Sequence, residues 1–82
     1  IRVGREIEKA DCKAGDIILF AGRNPQENPV GHVGIVTENS EGEILFIHSA
    51  TSANRGIVVS RASLGYYKKR FAGIRRLDYD NN

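Results

Sequence analysis

Apolar and polar residues alternate along this chain in short runs, none long enough for a substantial helix. The unbroken apolar run Ile17-Ile18-Leu19-Phe20-Ala21 follows the turn signal Ala14-Gly15-Asp16 and predicts a strand buried on both faces. Gly22 to Pro29 holds both prolines, two asparagines and Gln26, so turn chemistry at almost every position makes it a surface loop. Two β-rich runs follow, His32 to Glu38 and Glu43 to His48, on either side of the polar tip Asn39-Ser40-Glu41-Gly42. They predict a hairpin. Ile57 to Ser60 reads as a further strand, Ala62 to Tyr67 as a brief helical turn, and Gly73 to Leu77 as the strand that closes the sheet. Gly4 to Ala10 mixes charged and apolar residues at loosely helical spacing but is too short to stand as a helix, so it reads as a lead-in. The polar end, Asp78 to Asn82, is expected to fray.

Strand, hairpin, strand, short helix, strand is an order whose connections are too short for parallel crossovers. The expected fold class is therefore α+β, a single unit over residues 1–82. Its centre is a small antiparallel curled sheet or half-barrel with one short helix.

Composition narrows the function more by exclusion than by suggestion. The 82 residues are 40% hydrophobic and 27% charged, as in an ordinary globular domain, and the net charge of +2 is far from that of a dedicated nucleic-acid binder. No apolar run approaches the roughly 20 residues of a membrane-spanning segment. A single cysteine, Cys12, cannot form an intramolecular bridge. The chain has no methionine and opens on Ile1, which leads us to expect a trimmed piece or a mature remnant.

The chemistry centres on the two histidines, one opening the first hairpin strand and one closing the second. A turn symmetric about Ser40 would set Ile44 opposite Val36, Phe46 opposite Gly34, and His48 opposite His32. Directly opposed residues have Cβ atoms about 4.5–5.5 Å apart, so one imidazole could hydrogen-bond the other. Gly34 opposite Phe46 would leave room on that face for a substrate or another element. The bland alternative is two unrelated strand-end histidines, each satisfied by its own partner. A functional pair needs a third member: one ring acts as general base toward a nucleophile or water, and the other orients it.

Other constellations are weaker. Asp11-Cys12-Lys13-Ala14-Gly15 precedes the first core strand as a loop, without the helix N-terminus that would activate a thiol, so Cys12 reads as a partly buried loop cysteine. Cys12, His32, His48 and Asp16 show no CxxC or HxxxH spacing to preassemble a metal site, and neither metal nor cofactor is expected. Lys68-Lys69-Arg70, Arg75 and Arg76 interleave with Tyr66, Tyr67 and Phe71 like a nucleic-acid patch, but such runs on small domains are usually solvated faces, and nucleic acid is not expected as a partner. Gly31-His32-Val33-Gly34 opens a strand and does not precede a helix, so it is no phosphate loop.

Several of these segments, taken in order, resemble a known family. Lys13-Ala14-Gly15-Asp16-Ile17-Ile18-Leu19-Phe20, Gly31-His32-Val33-Gly34-Ile35-Val36, Phe46-Ile47-His48-Ser49-Ala50, Gly56-Ile57-Val58-Val59-Ser60, Tyr66-Tyr67-Lys68-Lys69-Arg70-Phe71 and Ile74-Arg75-Arg76-Leu77 are similar to the C-terminal half of an NlpC-type, papain-like cell-wall cysteine peptidase. The resemblance runs from about Ala14 to Leu77. It implies the β-half of a papain-like fold, with His32 as general base and His48 as the polar residue orienting it. The family's nucleophile lies in an Asp-Cys-Ser-Gly-Phe-like motif at the start of a helix, upstream of the Gly-Asp strand. Asp11-Cys12 continues as Lys-Ala-Gly and abuts the strand, so the nucleophile role does not transfer to Cys12.

The resemblance thus implies a partial peptidase domain. It would supply two histidines to a Cys-His-His mechanism, need an N-terminal portion of the same domain for the cysteine, and be inactive alone. The implied substrate is the peptide stem of peptidoglycan, typically at an amide between a D-glutamyl γ-carboxyl and a diamino acid, and the implied location is the bacterial cell envelope or outside the cell. The competing expectation is a non-catalytic, β-barrel-like module that binds wall peptides or a protein partner. A polyanion-binding domain using Lys68 to Arg76 is the third.

Overall fold

A computed structural model describes residues 4–22, 26, 30–50 and 56–77. Six strands form one antiparallel sheet that does not close: β1 (Arg5–Glu6), β2 (Ile17–Phe20), β3 (His32–Ser40), β4 (Glu43–Ala50), β5 (Gly56–Arg61) and β6 (Phe71–Arg76), in the spatial order β1-β6-β2-β3-β4-β5. Among the described residues one helix, α1 (Gly65–Arg70), joins β5 to β6, and a single 3-10 turn spans Lys9–Asp11. The curled α+β sheet with one short helix is as expected. The lead-in holds a strand that its sequence did not reveal, because β1 has only two residues and exists through its pairing with β6.

The apolar run Ile17–Phe20 is paired along its edges with β6 and β3, and Ile18, Leu19 and Phe20, which alternate between its two faces, are buried. Ile18, Phe20, Val36, Ile44, Phe46 and Ile74 point to one side and make the core, joined by Ile7 and Cys12. Tyr67 of α1 and Phe71 pack against it. On the other side, Ile17, Ile35, Ile47 and Val59 stand level across four strands, and Ile35 and Val59 are exposed. The core therefore sits on one face of the sheet.

Asp16, buried at the head of β2, ties this face to the last strand. Its Oδ1 accepts from Arg76 Nε at 2.8 Å, and its Oδ2 accepts from Arg76 Nη2 at 2.9 Å and from the Lys13 backbone N–H at 2.9 Å. The Arg76 guanidinium holds the Asp16 carboxyl below its ordinary value, against the opposing effect of burial.

Two boundaries differ from expectation. The helix starts at Gly65 and not at Ala62, because the Ala62 N–H donates to the Ile44 carbonyl at 2.9 Å and Leu64 remains extended. The closing strand begins at Phe71, directly after the helix, with the Ala21 N–H held by the Arg70 carbonyl at 2.7 Å. Of the loop expected over Gly22 to Pro29, only residues 22 and 26 are described, and the tail 78–82 lies outside the described residues.

Candidate functional site

The hairpin turn is a two-residue one. Ser40 pairs with Glu43 around Glu41 and Gly42, whose φ values of 54° and 89° are those of a type I′ turn. A register centred on Ser40 is thereby replaced by one in which Asn39 faces Ile44 and Glu38 faces Leu45. Continued unchanged, it would set His48 level with Ile35, on the face opposite His32. A bulge intervenes. Thr37 is the extra residue, and beyond it Val36 faces Phe46 and Ile35 faces Ile47. His48 then stands level with Gly34, and His32 lies two residues further along the same face. The two histidines are diagonal neighbours and not the directly opposed pair expected.

Their rings meet nonetheless. Diagonal positions on one face are about 7–8 Å apart at the backbone, within reach of aromatic side chains. His32 Nε2 and His48 Nδ1 share a hydrogen bond of 2.7 Å, with the ring planes at 86° and the centroids 4.8 Å apart. Among the described residues nothing hydrogen-bonds His32 Nδ1, and His32 is half-buried. His48 is only 7% exposed and packs on Phe46, with centroids 4.8 Å apart. Burial lowers the His48 pKa, and a charge on His32 lowers it further, so His48 is the ring that resists protonation.

Two residues that sequence reasoning did not assign to the site complete the surroundings of His48. Ser60 faces Phe46 across the β4–β5 ladder, and its Oγ lies 2.8 Å from His48 Nε2. Tyr67 projects from α1 with its hydroxyl 3.4 Å from the same nitrogen, its ring edge-on to Phe46 and tilted against Phe20. The signal for Ser60 was present: a hydroxyl two residues from Val58, on the inward side of a short β-branched run. Tyr67 was grouped with the basic cluster. The structure separates that cluster, since Arg70 covers the exposed Tyr66 ring at 4.1 Å while Arg76 is bound to Asp16.

Gly34 does not leave space for a substrate. A Cβ there would fall 2.6 Å from Phe46 Cδ2 and 3.0 Å from the Ile47 carbonyl, so the Phe46 ring already fills the position. Cys12 is buried within the core, and the Asn39 side-chain amide donates to its carbonyl at 3.0 Å. Burial pushes its thiol up, and the Asp16 charge acts in the same direction. Among the described residues, no three of His, Cys, Asp and Glu come together as metal ligands. No helix among them is long and apolar enough to cross a membrane.

The NlpC/P60 family model matches residues 1–76. The chain belongs to the NlpC/P60 family. Over 75 residues it is 29% identical to the murein DD-endopeptidase MepS/murein LD-carboxypeptidase of Escherichia coli strain K12, a match covering 92% of this chain and 35% of that protein. Over another 75-residue match it is 33% identical to a probable endopeptidase of Haemophilus influenzae, covering 90% of this chain and 41% of the relative. The chain thus spans well under half the length of these NlpC/P60 relatives. The family identified from the ordered motifs is the one the family model finds.

Proposed function

We propose that the protein carrying this chain hydrolyses amide bonds in the peptide stems of peptidoglycan through a Cys-His-His mechanism, with His32 as general base and His48 as the residue that positions it. The observation that carries this reading is the 2.7 Å hydrogen bond between His32 Nε2 and His48 Nδ1, which leaves His32 Nδ1 free to face a nucleophile. Family membership supports the class of chemistry, the name of the E. coli relative supports the substrate class, and that of the H. influenzae relative supports endopeptidase activity.

In this mechanism His32 Nδ1 takes the thiol proton as the cysteine sulfur attacks the scissile carbonyl, and returns it to the leaving amine as the tetrahedral intermediate collapses. Water then cleaves the acyl-enzyme, with His32 as base again. Throughout, His32 Nε2–H donates to His48 Nδ1, an arrangement that requires His48 to stay neutral, as its lowered pKa favours. The buried thiol of Cys12, pushed up in pKa, is the wrong group for the nucleophile, which we place outside these 82 residues. The chain by itself is then inactive, and its place of action is the bacterial envelope or beyond it. The E. coli relative is named for DD and LD bonds, whereas the motif resemblance implied a γ-D-glutamyl bond. The proposal therefore stops at stem-peptide amides.

The test is digestion of isolated peptidoglycan by the intact protein, with products separated by chromatography. His32→Ala is expected to abolish release of stem fragments, and His48→Ala to lower turnover with the fold retained. Wild-type release by His32→Ala would overturn the reading.

A further inference from the structure

His48 has two ring nitrogens, and only one distribution of its proton lets His32 work as a base. If His48 carries its hydrogen on Nδ1, it donates to His32 Nε2. The neutral His32 then holds its own proton on Nδ1, the atom that must be vacant. If His48 carries its hydrogen on Nε2, its Nδ1 accepts from His32 Nε2–H and His32 Nδ1 is unprotonated. A His32 imidazolium, with both nitrogens protonated, is likewise compatible only with the second form. Which nitrogen of a neutral histidine holds the proton is set by the partner of the other.

The partner of His48 Nε2 is Ser60. Its Oγ, at 2.8 Å, has the geometry of a good hydrogen bond, whereas the Tyr67 hydroxyl at 3.4 Å is beyond the usual range. Ser60 lies on the same inward face as Phe46 and His48, across from Phe46 in the ladder, and is half-buried. Its oxygen can therefore accept while its own proton turns toward solvent.

We propose that Ser60 is a positioning residue that accepts from His48 Nε2–H and thereby holds His48 in the tautomer that keeps His32 Nδ1 free. Tyr67 packs the ring in place without choosing the tautomer. The turnover effect of Ser60 rests on the peptidase reading above, and the tautomer effect does not.

The experiment is long-range nitrogen–proton NMR of the histidine rings in the intact protein, paired with steady-state kinetics on peptidoglycan fragments, for wild type, Ser60→Ala, Ser60→Thr and Tyr67→Phe. Wild type should show His48 with its proton on Nε2. Ser60→Ala should move it toward a mixture with Nδ1–H and lower kcat by about tenfold, a fraction of what general acid–base catalysis supplies, with KM unchanged. Ser60→Thr, which keeps the hydroxyl, should restore both, and Tyr67→Phe should leave the proton on Nε2. The inference fails if His48 remains Nε2–H in Ser60→Ala, or if Tyr67→Phe and not Ser60→Ala shifts it. If the wild type shows the expected tautomer but no hydrolysis, the peptidase reading falls and the tautomer assignment stands.

Discussion

His48 reaches His32 from a position two residues out of register with it, and the bulging of Thr37 out of the ladder is what keeps both on one face of the sheet. A two-residue turn and an unbroken ladder would send His48 to the far side, because a one-residue slip exchanges the faces of every side chain beyond it. The bulge undoes that slip. Since Thr37 is bulged out of the ladder and its side chain is exposed, Thr37→Ala should change stability by no more than about 0.5 kcal/mol and leave activity intact. Deleting Thr37 should leave a regular ladder with Glu38 on Leu45 and Val36 still on Phe46, so the His32–His48 bond, seen as coupled ring signals in NMR, should persist together with activity. Loss of that bond in the deletion variant would show that the bulge does more than absorb the extra residue.

Gly34 and Phe46 form a second dependence. Adding a methyl at Gly34 drives it into the Phe46 ring and toward the Ile47 carbonyl, and Phe46 is fully buried with little freedom to move. Gly34→Ala is expected to cost about 1–3 kcal/mol, the range for overpacking a core. If the ring is the obstacle, pairing Gly34→Ala with Phe46→Leu should cost less than the two separate effects added, in a denaturant double-mutant cycle. Strict additivity would place the strain in the backbone instead.

Most of the architecture was legible because period-two patterns and turn residues are local. The run Ile17 to Phe20 announced a doubly covered strand, and the two β-rich segments around residues 39–42 announced the hairpin. The contact between His32 and His48 was legible as well, since the only two histidines occupy the hairpin's open ends. The route to that contact was not. A glutamate with positive φ at Glu41 and a bulge at Thr37 carry no strong local signature, and the two compensated for each other in the expected geometry. Ser60 and Tyr67 come to His48 from another strand and a helix, by tertiary packing that no spacing along the chain encodes.

The turn itself is improvable. Glu41 has φ 54°, a region that costs a non-glycine residue about 1–2 kcal/mol, and asparagine tolerates it best ahead of glycine in a type I′ turn. Glu41→Asn should raise stability by about 0.5–1 kcal/mol, visible as a melting temperature higher by about 3–6 °C, with no change at the histidines. A lower melting temperature would mean that Glu41 makes a compensating interaction elsewhere.

Protonation of His48 should set the acid limit of stability. Its folded pKa lies below the ordinary histidine value of 6.5, first because the ring is buried and then because of the neighbouring His32. Between the folded and the ordinary value, the unfolded chain holds a proton that the folded chain refuses. The unfolded state is therefore favoured as pH falls. The stability associated with a neutral His48 is complete above about 6.5 and declines as pH drops through the depressed folded value. Asp16 has the same sign in a lower window, since its carboxyl is held below the ordinary 3.8 by Arg76 and its contribution is lost only as pH falls beneath that. Urea unfolding at pH 7.5, 6, 5 and 3.5 should show stability decreasing in wild type. His48→Gln, which keeps a polar side chain but cannot titrate, should flatten that upper decline and leave the Asp16-dependent loss below pH 4 in place. An unchanged slope in His48→Gln would move the titration to another group and remove the argument for a neutral His48.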